Sequence, residues 1–172
     1  MKHIRTLLAS PGTSEDMMCV IGGYMLVAND TLVLTINGAN MAIFNNRGKA
    51  LHVDLEQLEE NYQPVPETAE LGRDRPGRSF ESSGVRRSGY EATDLHTREE
   101  DRFIQQGIDR LGELATKEGQ PVIVIAPPDA LGVARKMYSV ELRKLVVAEI
   151  DRDYSTRPAA DVSAFLASYE PR

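Results

Sequence analysis

Apolar residues first gather in two short runs on either side of Asn37-Gly38. Leu32-Val33-Leu34-Thr35-Ile36 is aliphatic and largely β-branched, and Met41-Ala42-Ile43-Phe44 repeats the character before Asn45-Asn46-Arg47-Gly48 breaks it. Two such runs joined through Asn-Gly predict a β-hairpin. Ala50-Leu51-His52-Val53-Asp54-Leu55 then alternates apolar and polar positions, which predicts a third, half-exposed strand. Pro64 and Pro66 close this antiparallel meander.

From Leu71 to about Thr93 the pattern has no period and is rich in glycine and charge, so a loop is expected there. Helix starts are signalled by Asp94 and by Thr97, the latter forming a capping box with Glu100. Phe103, Ile104, Ile108, Leu111, Leu114 and Ala115 recur at helical spacing, and Gly119 ends the run. Val122 to Ala126 is continuously apolar, as in a strand covered on both faces. Pro127-Pro128 stops it, and a helix from about Asp129 to Tyr138 follows. Ser139 predicts the cap of a short helix through Lys144, and Val146 to Ile150 a further strand. Thr156 and Pro158 predict the start of a last helix that places Val162, Phe165 and Leu166 on one face. The order β-β-β, loop, α, β, α, β, α predicts a single α/β domain with a mixed sheet and helices packed on it.

Length changes this picture little: 172 residues suit one ordinary domain. Residues 25–170 are expected to form that domain, with 72–93 as its arginine- and glycine-rich loop. Residues 1–24, where Ser10-Pro11-Gly12 interrupts the pattern, are expected to be a loosely packed extension. The apolar stretch before Ser10 is too short for a signal peptide, and no run approaches the ~20 residues of a membrane helix. A cytoplasmic protein without membrane contact is therefore expected. The single cysteine, Cys19, excludes an intramolecular disulfide and a zinc–cysteine cluster.

Charge changes the picture more. The net charge is −6, which gives no sign of a nucleic-acid partner for the molecule as a whole. Locally, Arg73, Arg75, Arg78, Arg86 and Arg87 outnumber Asp74 and Glu81. Guanidinium groups grip phosphates or carboxylates in bidentate fashion, and glycines between them keep the backbone adaptable. Phe80 and Tyr90 are suited to stack on exposed bases. The competing reading is a solvated loop whose arginines pair with the acidic body of the protein.

Two further groups bear on chemistry. The junction Ala126-Pro127-Pro128-Asp129 presents free N–H groups at a helix start, with Arg135 and Lys136 two turns on. Asp129 is expected to cap that helix itself and so to compete with an anion, and Gly132 to allow close helix–sheet packing. Asp94, His96, Glu99, Glu100 and Asp101 bring a histidine beside carboxylates, a set that can bind a divalent metal. Acidic residues in a first helical turn equally satisfy the helix dipole. Asp54, Glu149 and Asp151 are the remaining strand-end carboxylates, and His52 is expected at the surface. No GxSxG, Walker or GxGxxG sequence occurs, and no nucleophile–base pair is specified.

The segments Asp74-Arg75-Pro76-Gly77-Arg78-Ser79-Phe80 and Ala126-Pro127-Pro128-Asp129-Ala130-Leu131-Gly132-Val133-Ala134-Arg135 resemble the loop and the strand-to-helix junction of the bacterial host attachment family. The order of elements over about 25–170 is similar, more distantly, to the middle domain of eukaryotic and archaeal class I release factors. That resemblance implies an RNase H-like arrangement with a functional loop between meander and first long helix. The release factors' Gly-Gly-Gln tip is missing, and no glutamine lies between Gly72 and Thr93. Ser83-Gly84-Val85-Arg86-Arg87-Ser88-Gly89 is the nearest stretch. The two resemblances together imply a non-enzymatic module that presents its arginine loop to RNA, tRNA or the ribosome, with Asp94 and His96 organising the loop's exit. A protein partner in attachment to host cells or surfaces, and metal-dependent hydrolysis, stand as alternatives. No cofactor is expected.

Overall fold

The computed structural model describes residues 20–21, 24–50, 52–63 and 88–171, with side chains at 25–50, 52–63 and 96–171. A two-stranded antiparallel pair, β1 (Val20–Ile21) and β2 (Tyr24–Met25), precedes the main sheet. That sheet contains β3 (Leu32–Ile36), β4 (Asn40–Asn46), β5 (Leu55–Tyr62), β6 (Val122–Ala126) and β7 (Val146–Asp151), in the order β5-β4-β3-β6-β7. The meander β3–β4–β5 is antiparallel, whereas β3–β6 and β6–β7 are parallel. Helices α1 (Ser88–Glu118), α2 (Pro128–Met137) and α3 (Val140–Leu145) cover one face, and α4 (Ala159–Ser168) covers the other. This is the expected single α/β domain with a mixed, RNase H-like sheet.

Period-2 geometry divides each central strand between two cores. Val122, Val124 and Ala126 of β6 pack with Ile104, Ile108 and Leu111 of α1, while Ile123 and Ile125 pack with Val162 and Leu166 of α4. The continuous apolar run of β6 is thus a strand with helices on both faces, as its pattern indicated. Gly119 ends α1 with φ +67°, the left-handed C-terminal position glycine favours. Ser139 caps α3 by accepting a hydrogen bond from the Leu142 N–H at 3.0 Å.

Several expectations are corrected. The third strand lies at Leu55–Tyr62 instead of 50–55. Around residues 47–50 and 52–54 the chain is organised by Asn46, whose buried amide reaches Val27, Ala28, Gly48 and Asp54. Only Leu55 of β5 is buried, so this edge strand is held by backbone pairing to β4 and shows no apolar alternation. His52 is exposed as expected, but in an isolated bridge to Lys49.

The first long helix starts at Ser88, six residues before the earliest start signal, so Thr97 lies inside it instead of at its start. Its first buried side chain among those described is Phe103. At α2 the N-cap is Pro127 and no side chain makes a cap bond; Asp129 sits in the first turn. An added Cβ at Gly132 would meet nothing within 4 Å, so this glycine serves no close approach. The hairpin turn is held by Asn37 Oδ1, which accepts from the N–H groups of Ala39 (2.9 Å) and Asn40 (2.8 Å). A Cβ at Gly38 would lie 2.7 Å from Glu100 Cγ, so a larger residue there requires the Glu100 side chain to move.

Candidate functional site

Open α/β sheets bind ligands outside the carboxyl ends of their parallel strands. In this sheet that end carries the β3–β4 turn, the start of α2 and the 151–155 stretch after β7. β5 also finishes here: the Gln63 N–H donates to the Ala39 carbonyl at 2.7 Å. The chain returns through α1, whose Glu100 packs on Gly38. The end of β5 and the Glu100 region of α1 therefore meet at this end of the sheet.

Two clefts flank α1 at that end. One, of about 400 Å³, lies between the end of β5 (Asn61, Tyr62, Gln63) and Glu99, Arg102 and Gln106 of α1. The other, of about 370 Å³, lies between the Asn37-Gly38 turn, Glu100 and Asp101 of α1 and the start of α2 at Asp129. The wall between α1 and β5 is fixed by Arg110, which donates from Nε to both carboxylate oxygens of Glu59 at 2.9 Å and from Nη1 to Glu113 at 2.8 Å. Its Nη2 also contacts Glu59. Hydrogen bonding to Arg110 holds the Glu59 carboxyl below its usual range and raises the guanidinium in turn.

On the side of β7, Asn37 Nδ2 donates to Asp153 Oδ2 at 3.3 Å and so ties the hairpin turn to the strand end. Burial alone pushes the Asp153 carboxyl up. Hydrogen bonds from the Ser155 hydroxyl (2.6 Å), the Ser155 N–H (3.1 Å) and Asn37 outweigh it together and hold the group below its ordinary value.

A third cavity, of about 410 Å³, borders the edge strand β7 and is lined by Arg135, Tyr138, Arg143, Val146 and Glu149 among others. Glu149 Oε2 accepts from Arg135 Nε at 2.7 Å, and its Oε1 accepts from the Tyr138 hydroxyl at 3.0 Å. Burial, assisted by the Glu149 charge, pushes the Tyr138 phenol well above its usual range. Arg143 lies 6.0 Å from the Tyr138 ring centroid and donates to the Arg135 carbonyl.

The residues singled out in the sequence are distributed as follows. Arg73, Arg75, Arg78, Phe80, Arg86 and Arg87 lie outside the described residues. Tyr90 and Asp94 stand on the first turns of α1, and their side chains are likewise outside the description. His96 is half-buried on α1, and its Nε2 has no hydrogen-bond partner among the described residues. Arg135 is in the last turn of α2, bound to Glu149.

The acidic group does not converge either. Adjacent helix positions point about 100° apart, and accordingly Glu99 lines the cleft beside β5 while Glu100 and Asp101 line the cleft beside α2. Among the described residues no three His, Cys, Asp or Glu side chains are grouped so as to hold a metal ion. Among the described residues no helix is long and apolar enough to cross a membrane. Tyr62, Arg102 and Gln106 escaped the sequence reading altogether. The only available signal was an aromatic residue closing an otherwise acidic stretch.

No curated protein matches the chain. The family finding supports the release-factor resemblance and not the host-attachment resemblance. Residues 30–166, from the turn before β3 into α4, match Bacterial archaeo-eukaryotic release factor family 12. The match spans well over half of the chain and takes in the whole five-stranded sheet, so the chain belongs to that family.

Proposed function

We propose that the protein is a release-factor-like binding module of the translation apparatus that engages an anionic partner, RNA, tRNA or the ribosome, without catalysing peptidyl-tRNA hydrolysis. The observation that carries this reading is family membership over residues 30–166, combined with the sequence of the segment between β5 and α1. That segment carries Arg73, Arg75, Arg78, Arg86 and Arg87 and no Gly-Gly-Gln. Release by that motif needs its glutamine; phosphate gripping needs only the guanidinium groups. The acidic remainder of the molecule repels nucleic acid, which favours a contact confined to this segment.

The test is sedimentation of tagged protein from lysate through a sucrose gradient at low salt and at about 0.5 M, where the Debye length is roughly 4 Å. Co-migration with ribosomal particles that is lost at high salt is the expected result. Migration at the top of the gradient under both conditions refutes stable ribosome binding. With purified RNA, joint replacement of Arg75, Arg78, Arg86 and Arg87 by alanine lowers the log–log salt slope by roughly 0.7 to 0.9 per lost phosphate contact. An unchanged slope removes the arginines from the mechanism.

A further inference from the structure

The cleft between the end of β5 and α1 is built from groups that the fold itself leaves idle. Tyr62 keeps 62% of its surface in solvent, an unusual exposure for a large aromatic side chain. Beside it stand three side-chain amides, Asn61, Gln63 and Gln106, none of which makes a hydrogen bond to a described residue. Arg102 completes the lining. Arg47, Arg110, Arg135 and Arg152 each hold a carboxylate within 3.3 Å. Arg102 holds none among the described residues, although Glu99 precedes it by one helical turn in the same cleft.

An aromatic face, amides carrying both donors and acceptors, and an unpaired guanidinium are the three contacts that an unstacked nucleotide requires. The volume of about 400 Å³ is ample for one base with its sugar. Arg110 of α1 bonds Glu59 of β5 and so links the two walls before a ligand arrives.

We propose that this cleft receives one unpaired nucleobase of single-stranded RNA. Tyr62 stacks on the base, Asn61, Gln63 and Gln106 bond its edge, and Arg102 takes the adjacent phosphate. The inference rests on the reading of the protein as an RNA-engaging module, and it assigns the base contact to the folded body in place of Phe80 or Tyr90.

The experiment measures anisotropy of fluorescein-labelled mixed-sequence RNA, single-stranded and as a blunt two-strand duplex, across a salt series with the full chain. Tyr62→Ala is expected to weaken single-strand binding by about 5- to 150-fold, the range for losing one stacked base. Its salt slope should be unchanged because no charge is removed, and duplex binding should be unaffected. Tyr62→Phe should bind like the parent, and Arg102→Gln should lower the slope by about 0.7. An unchanged thermal midpoint for Tyr62→Ala shows that the variant is folded.

Wild-type affinity in Tyr62→Ala, with binding lost in the variant lacking Arg75, Arg78, Arg86 and Arg87, overturns the cleft and leaves the proposed function standing. Equal weakening on single and double strands overturns it too, since a paired base cannot enter. If the wild type binds neither RNA at low salt, both readings fail together.

Discussion

Asn46 ties the meander to the segment that precedes it, and β4 to the residues that follow, through four hydrogen bonds. Its Nδ2 donates to the carbonyls of Val27 (3.0 Å) and Ala28 (2.9 Å), and its Oδ1 accepts from the N–H groups of Gly48 and Asp54, both at 3.0 Å. The residue is fully buried, so water cannot replace it. Four bonds at a net ~1 kcal/mol each set the cost of Asn46→Ala at about 4 kcal/mol. With a urea slope of about 2 kcal/mol per molar, the unfolding midpoint falls by about 2 M. Asn46→Asp is the sharper probe, because it preserves shape and both acceptor roles. It would place a carboxylate oxygen where Nδ2 now faces two carbonyl oxygens, so its loss should be at least as large. Equilibrium urea unfolding followed by circular dichroism measures both. A midpoint shift below about 0.5 M for the alanine variant, or a wild-type midpoint for the aspartate variant, refutes the assignment of meander stability to this amide.

Asp153 titrates below its ordinary value, so its contribution is present above about pH 4 and is lost as pH falls through the folded value. Asp153→Asn should therefore flatten the acid limb of a stability–pH curve, and an unaltered limb would show the Ser155 and Asn37 bonds to be inconsequential. Tyr138 has the opposite sign: its folded value is raised, so the stabilisation is complete below about pH 10 and fades above it. Alkaline titration of tyrosinate absorbance should show one phenol resisting ionisation, and Tyr138→Phe should abolish that phase. Ser139→Ala removes the cap of α3 and should cost about 1 kcal/mol in urea unfolding; no loss would mean that packing of Leu142 alone holds the helix.

What was legible in the chain follows from burial. β3 and β6 lie inside the sheet with helices on both faces, so nearly every side chain is apolar and the pattern reports the strand directly. Gly119 and Ser139 were legible because terminal geometry demands particular residues. β5 and the first turns of α1 were not. β5 is an edge strand held by main-chain bonds to β4, and main-chain bonds carry no side-chain signature. Among its described side chains, α1 first reaches the core at Phe103.

The sequence by itself determined the class of fold, the two-faced central strands, the helix ends at Gly119 and Ser139, and the basic character of the segment between β5 and α1. Only the tertiary structure decided which polar groups share a cleft. It parted Glu99 from Glu100 and Asp101, bound Arg135 to Glu149, and set Tyr62 opposite Arg102 and Gln106. The reason is physical: a local pattern records whether a side chain meets core or water, whereas convergence of surface side chains depends on the register and crossing of elements distant in the chain.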